Sequence, residues 1–305
     1  MNKYIVVLGN FDGVHIAHQE LIKNAILIAK ELSLKPLLVC FNPHTAFIIK
    51  EGHRLILTRE DKINLLKSEF KIDIFEIEFN NEVAMMGYGE FIFNILLKVV
   101  DIHTLITGYN FRFGHKRLGD TKSLACISSS GKFHYICINE MMLNYIPISS
   151  SEVKRLLSMG AVGLAQKLLG RNFFISGVVC HGKKLGAKIG FKTLNIEYPE
   201  NLYVPLLGVY LVLVSLNVGK FYGVANIGIR PTLHTDNSII VEVHLLEFDL
   251  EVYEEDVKIE LLQFIRPERK FGNIEELIYQ INMDVSAASF ILKNTCYATE
   301  IANNV

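Results

Sequence analysis

No excess of either charge, no closely paired cysteines and no long apolar run mark this sequence. Lys plus Arg number 31 against 32 for Asp plus Glu, a net charge of −1. The chain therefore has no general electrostatic pull toward nucleic acid or an anionic membrane surface. The five cysteines, Cys40, Cys126, Cys137, Cys180 and Cys296, are scattered and form no CxxC pair. That spacing argues against a disulfide framework and against a cysteine zinc site. The opening MNKYIVVLGNFDG is a short apolar stretch running into a glycine turn, shorter than a signal h-region or a membrane span. Repeats and low-complexity tracts are missing too. The expectation is a soluble cytoplasmic protein that binds neither nucleic acid nor membrane.

What the chain does have is apolar mass. Half of its 305 residues are hydrophobic, enough to bury a sizeable core, and the length suits two domains. The two halves differ in rhythm. In the first, short apolar runs alternate with helical patterns: strand Tyr4–Leu8, helix His18–Leu32, strand Pro36–Phe41, helix Thr58–Phe70 with Thr58 as cap, strand Ile72–Glu78, helix Tyr88–Val100 and strand Thr104–Thr107. Alternation of this kind implies βαβ units and a parallel α/β sheet. A helical connector follows over Ser149–Leu169, with a Ser149/Glu152 capping box and Gly170 as its stop. Beyond it come β-type segments at Phe174–Cys180, Val209–Leu216, Phe221–Ile227, Ile239–Phe248 and Val257–Phe264. No long helix intervenes before Ile274–Ile281. That pattern predicts an antiparallel β-barrel with a C-terminal helix. The boundary falls near Gly170, dividing the chain into domains 1–170 and 171–305.

The segment Gly9–His18, GNFDGVHIAH, follows the first strand and opens the first helix. In an open α/β sheet that is where ligands bind, and free amides at a helix start attract phosphate. His15 and His18 are three apart, so both rings project from one face of the first turn. They can stabilise charge that builds on an α-phosphate during nucleotidyl transfer. Taken alone, an HxxH pair reads more readily as a tight β–α turn with one incidental histidine and one in a capping role.

The stretch resembles the HxGH signature of nucleotidylyltransferases, with Ala17 in place of the glycine. Gly9, Asn10, Phe11, Asp12, Gly13, Val14 and His15 resemble in particular the FMN adenylyltransferase branch. Further segments follow in order: Phe41-Asn42-Pro43-His44, with Thr45 where proline is usual; Gly108-Tyr109-Asn110-Phe111-Arg112-Phe113-Gly114; then Arg117 and Gly119-Asp120. Ile148-Ser149-Ser150-Ser151 resembles the family's phosphate-handling helix start, with Lys154 where arginine is usual.

In the second half, Gly190-Phe191-Lys192-Thr193-Leu194-Asn195 resembles the Gly-Phe-Pro-Thr-Ala-Asn motif of riboflavin kinases. Lys192 and Leu194 replace the proline and alanine. Gly223–Thr232, Val241–Leu246 and Ile265–Phe271 match further stretches of that family. The succession covers roughly Val6 to Asp284 and is similar to the bifunctional riboflavin kinase/FMN adenylyltransferases, also called FAD synthetases. The resemblance implies a Rossmann-like nucleotidylyltransferase domain followed by a riboflavin kinase barrel, with riboflavin, FMN and ATP as substrates and Mg²⁺ as cofactor. It assigns catalysis to His15, His18 and Glu242. ATP and flavin binding fall to Gly9, Asn10, Phe11, Asp12, Asn110, Arg117, Ser150, Ser151, Lys154, Gly182, Gly190 and Arg266. Thr193 and Asn195 are the implied metal ligands. Glu242 by itself, flanked by Val241 and Val243, reads as a solvent-facing residue of an alternating strand. Three other readings stay open: an adenylyltransferase with a decayed kinase half, a nucleotidylyltransferase for another phosphate ester, and a non-catalytic flavin-binding module. Association into a homo-oligomer is compatible with all of them.

Overall fold

The first strand, β1 (Tyr4–Leu8), is apolar from Tyr4 onward, and Ile5 to Leu8 are essentially inaccessible to water. A strand of that kind needs cover on both faces and neighbours on both edges, and it has them. The computed structural model describes residues 3–49, 52–180, 191–230, 238–246 and 254–295. In it, β1 is the central strand of a five-stranded parallel sheet with β2 (Lys35–Asn42), β3 (Asp73–Glu78), β4 (Ile102–Gly108) and β5 (His134–Ile138), in the order β3-β2-β1-β4-β5. On one face Val6 and Leu8 join Val39, Phe41 and Leu105, covered by Phe91, Ile92 and Leu96. On the other packs α1 (Ile16–Glu31), which buries Leu21, Ile22, Ala25 and Ala29 at helical spacing. Chain order runs outward from β1 to β2 and β3 on one side and reaches β4 and β5 on the other. The strand order therefore reverses between β1 and β4, and the carboxyl end of β1 opens at that reversal.

Local signals start two further helices of this half. Helix α2 (Arg59–Phe70) starts at Thr58, whose hydroxyl accepts from the Asp61 amide at 3.1 Å. Helix α3 (Thr121–Ser128) starts at Asp120, which accepts from the Ser123 amide at 2.8 Å. The stretch expected as one helix over Tyr88–Val100 contains a π-helical segment, Phe91–Leu96, between short α-helical turns.

The connector is two helices, α4 (Ser150–Ser158) and α5 (Val162–Leu169), where one was expected. Gly160, at φ +70°, breaks them apart. The expected caps are present: Ser149 accepts from the Glu152 amide at 3.2 Å, and Gly170 closes α5 in the left-handed conformation. The chain separates into two compact units, 1–152 and 153–305, so α5 and most of α4 group with the second half.

A short antiparallel ladder, β6 (Met142–Leu143) with β7 (Ile146–Pro147), precedes α4, and the second unit is a closed six-stranded barrel. Strands β8 (Phe173–Cys180), β9 (Leu194–Glu197), β10 (Gly208–Leu216), β11 (Gly219–Arg230), β12 (Ser238–Leu245) and β13 (Asp256–Pro267) pair in the order β10-β11-β12-β9-β8-β13, every pair antiparallel, with β13 closing on β10. β9 is the one barrel strand the sequence pattern does not announce. Alternation sorts each strand between interior and exterior. Tyr210, Ala225, Val243 and Leu194 lie opposite one another across β10, β11, β12 and β9, and all are buried. The opposite face of β10, with Val209, Leu211 and Leu213, packs under α6 (Ile274–Asn294) at Ala288.

Arg266 at the end of β13 fastens this helix. Its Nε and Nη2 donate to the two carboxylate oxygens of Asp284, each at 2.8 Å, and Asp284 is buried. Gln280 donates to the same carboxylate at 2.9 Å. Removing one partner of a buried charge pair strands the other. Asp284→Ala should therefore cost about 3 kcal/mol in urea denaturation, and a loss below roughly 1 kcal/mol would mean that apolar contacts alone dock α6.

Candidate functional site

The turn after β1 gathers the first set of expected residues. Gly9 still belongs to the sheet edge, donating to the Val39 carbonyl at 3.1 Å. The chain then takes three positive φ values, at Phe11 (54°), Gly13 (80°) and Val14 (42°). Two of the three are not glycine, and burial holds them there: Phe11 and Val14 are at most 1% exposed. Asp12 ties the turn to the rest of the unit. Its carboxylate accepts from the Ile56 amide at 2.7 Å, and its carbonyl accepts from the Ser150 hydroxyl at 2.8 Å. The serine helix start is thus joined directly to the glycine-rich turn, two segments 138 residues apart in sequence.

His15 caps α1, its Nδ1 accepting from the His18 amide at 3.4 Å, and its side chain is buried. The two imidazoles stack with centroids 3.6 Å apart and planes 15° from parallel, and the Phe11 ring meets His18 edge-on at 5.2 Å. The histidines are therefore one unit at the amino end of a sixteen-residue helix, where the macrodipole favours an anion. Asn10 donates to the Thr45 hydroxyl at 2.9 Å, and its side-chain oxygen is buried with no hydrogen-bond partner among the described residues.

The strand-end motif after β4 is more open. Asn110 and Arg117 are both exposed, and Arg117 has φ 61°. Around them, Tyr109 donates to Glu140 at 2.7 Å, and that bond raises the phenol's pKa. The Ser123 amide and hydroxyl, with help from Arg112, hold the Asp120 carboxyl below its ordinary range. Ser151 is exposed on α4. Lys154, one turn further and within the second unit, places its ammonium 5.9 Å from the Tyr203 ring centroid.

The second set lies on one row across the outside of the barrel. Asn195 on β9 faces Glu242 on β12, which faces Asn226 on β11, which faces Val209 on β10, which faces Arg266 on β13. Glu242 thus stands between two side-chain amides while its neighbours Val241 and Val243 are wholly buried inside. Asn195 donates one side-chain N–H to the Thr193 carbonyl at 3.4 Å, and its side-chain oxygen is of the kind that can accept or ligate. Arg266, grouped above with the ATP and flavin ligands, has its guanidinium engaged by Asp284. Gly182 and Gly190 lie outside the described residues. Asn226 is the residue that reasoning from sequence missed. It sits in the quoted Gly-Val-Ala-Asn-Ile-Gly run, and only the strand register shows it beside Glu242. Among the described residues no cluster of three or more His, Cys, Asp or Glu is placed to hold a metal.

A parallel sheet with paired histidines at a phosphate-attracting helix start, joined in one chain to a barrel that carries a carboxylate among amides, is the build of a two-domain nucleotide-dependent transferase. The family model described as FAD synthetase matches residues 1–152, and the one described as riboflavin kinase matches residues 169–292. The bifunctional riboflavin kinase/FMN adenylyltransferase of Buchnera aphidicola subsp. Schizaphis graminum is 38% identical over 286 residues, covering 92% of this chain and 91% of that one. The protein of the same name from Bacillus subtilis is 35% identical over 291 residues, covering 94% and 92%. A solved Streptococcus pneumoniae structure described as a macrolide-efflux protein has a TM-score of 0.84 at 27% identity, covering 96% and 95%. The chain belongs to the bifunctional riboflavin kinase/FMN adenylyltransferase family. Among the described residues, no helix is long and apolar enough to cross a membrane.

The turn geometry makes one position especially intolerant. A methyl group on Gly13 would meet the Ile56 side chain at 2.8 Å, and the positive φ adds its own penalty. Gly13→Ala should lower stability by about 1–3 kcal/mol in chemical denaturation. Equal stability would mean the turn can relax away from Ile56.

Proposed function

We propose that this chain phosphorylates riboflavin to FMN with one ATP and then transfers the adenylyl group of a second ATP to FMN, releasing pyrophosphate and leaving FAD. The observation that carries the reading is the match of two separate catalytic family models, one on each half. Each half also carries the side chains its step requires.

In the kinase half, the riboflavin ribityl hydroxyl attacks the γ-phosphorus of ATP and ADP leaves. Glu242 is the group that accepts the hydroxyl proton, and its place between Asn195 and Asn226 orients it. Thr193 and Asn195 supply neutral oxygens of the kind magnesium takes when it keeps waters and borrows phosphate oxygens. A magnesium ion held by Thr193 and Asn195 would supply charge neutralisation for the transferring phosphate. In the transferase half, an FMN phosphate oxygen attacks the α-phosphorus of ATP. His15 and His18, stacked at the start of α1, face the charge that builds there. The Ser150 hydroxyl and the amides of the α4 start flank the same turn. Asn110 and Arg117 line the exposed strand-end side, and the buried Asn10 oxygen offers an acceptor for a ligand N–H or O–H. Positioning and charge neutralisation supply most of the rate in both steps.

The cysteines Cys40, Cys126, Cys137 and Cys180 are free thiols, which suits the reducing cytoplasm where we place the reaction. Gel filtration of the purified chain would decide whether it works as a homo-oligomer.

Two pairs of assays separate the halves. Replacing both His15 and His18 by alanine should lower FAD formation from FMN at least about 100-fold and leave FMN formation from riboflavin unchanged. Glu242→Gln should do the reverse, slowing FMN formation roughly 100- to 10,000-fold while FAD still forms from added FMN. A chromatographic time course with riboflavin, ATP and Mg²⁺ reads both. FAD made only from supplied FMN by the unaltered chain would reduce it to an adenylyltransferase alone.

A further inference from the structure

The β9–β12 ladder begins at Leu194, opposite Val243. The residues just before it, Phe191, Lys192 and Thr193, lie outside that ladder, and Thr193 belongs to the kinase site proposed above. A side chain of β12 reaches this segment. His244, two residues after Glu242 and on the same outer face of β12, brings its Nδ1 within 2.9 Å of the Lys192 carbonyl oxygen. The carbonyl can only accept, so Nδ1 carries the hydrogen and donates. The same imidazole meets the Phe191 ring edge-on, with centroids 5.2 Å apart and planes at 81°. Two consecutive residues of the segment therefore touch one ring, immediately before Thr193.

We propose that His244 is a positioning residue of the kinase site: its Nδ1–H, bonded to the Lys192 carbonyl, sets the backbone that presents Thr193 beside Asn195 and Glu242. The inference rests on the kinase reading above. Its physical sense comes from Lys192. A proline at that position would fix φ through its ring, and lysine does not. The hydrogen bond from β12 supplies that restraint from outside the segment. Because the ring that makes the bond and the carboxylate that accepts the substrate proton stand on one strand two residues apart, the restraint is referenced to the reacting groups themselves.

The test compares four full-length variants in riboflavin phosphorylation, with FAD formation from FMN as the internal reference. His244→Ala should raise the KM for Mg-ATP by roughly five- to tenfold, the scale of one lost hydrogen bond, with a smaller fall in kcat and unchanged FAD formation. His244→Asn puts an amide N–H near the place of Nδ1–H and should return KM to within about twofold. His244→Phe keeps the ring against Phe191 without the donor and should stay impaired. The Asn and Phe variants decide the matter even if the alanine variant unfolds. A His244→Phe protein with unaltered KM, or a His244→Asn protein no better than His244→Phe, would overturn the proposal and leave the imidazole a packing group. Glu242→Gln, run alongside, separates this from failure of the site itself. If it phosphorylates riboflavin at the unaltered rate, the kinase site is elsewhere and His244 positions nothing catalytic.

Discussion

Val241 and Val243 decide which way Glu242 and His244 face. Both valines are completely buried inside the barrel, and a strand has a period of two. A one-residue slip of β12 would send two valines into water and a carboxylate and an imidazole into the apolar interior. The register is therefore held by hydrophobic burial, and the polar row on the outside inherits its accuracy. Asn195, Glu242 and Asn226 come from three strands, but they are aligned by the interior residues beside them: Leu194, Val243 and Ala225 on one side, Ile196, Val241 and Ile227 on the other. The polar row on the outer surface is positioned by packing on the inner one.

The first half reaches the same end by different means. There the sheet supplies only the launching point, the buried carboxyl end of β1. Orientation is then set by a turn with positive φ at Phe11, Gly13 and Val14. Such a turn is costly for a β-branched residue, and it persists because Phe11 and Val14 are sunk in the core and Asp12 is bonded to both Ile56 and Ser150. The reward is that α1 starts at His15 with two imidazoles already stacked. Both rings are thus already ordered, as the adenylyl transfer proposed above would require of them.

Much of this is legible in the sequence, and the reasons for the exceptions are physical. β1 reads to the residue because a strand buried on both faces is an unbroken apolar run. Thr58, Ser149 and Gly170 read as caps because cap chemistry is local. β9 stays hidden: it has four residues, and Asn195 interrupts what apolar pattern it has. The last helix continues to Asn294, past the expected Ile281, because its polar members look like a stop. Asn282 and Ser286 instead bond back to the carbonyls of Ile278 and Asn282, four residues earlier. His15, His18 and Glu242 stand out through the segments around them. Asn226 and His244 need the strand register, which no local pattern contains, and the engagement of Arg266 by Asp284 needs the docking of α6.

Closure of the barrel has a consequence in time. The parallel sheet has all its strands by Ile138, so it can assemble while later residues are still being made. The barrel cannot, because β8 waits for β13 on one edge and β10 waits for β13 on the other. Until Asp256–Pro267 has left the ribosome, two strands offer unpaired edges to whatever else is nearby. A stalled or truncated product of this chain is thus a half with a finished sheet carrying an open, adhesive one. The last strand to be synthesised is the one that makes the rest of the barrel safe.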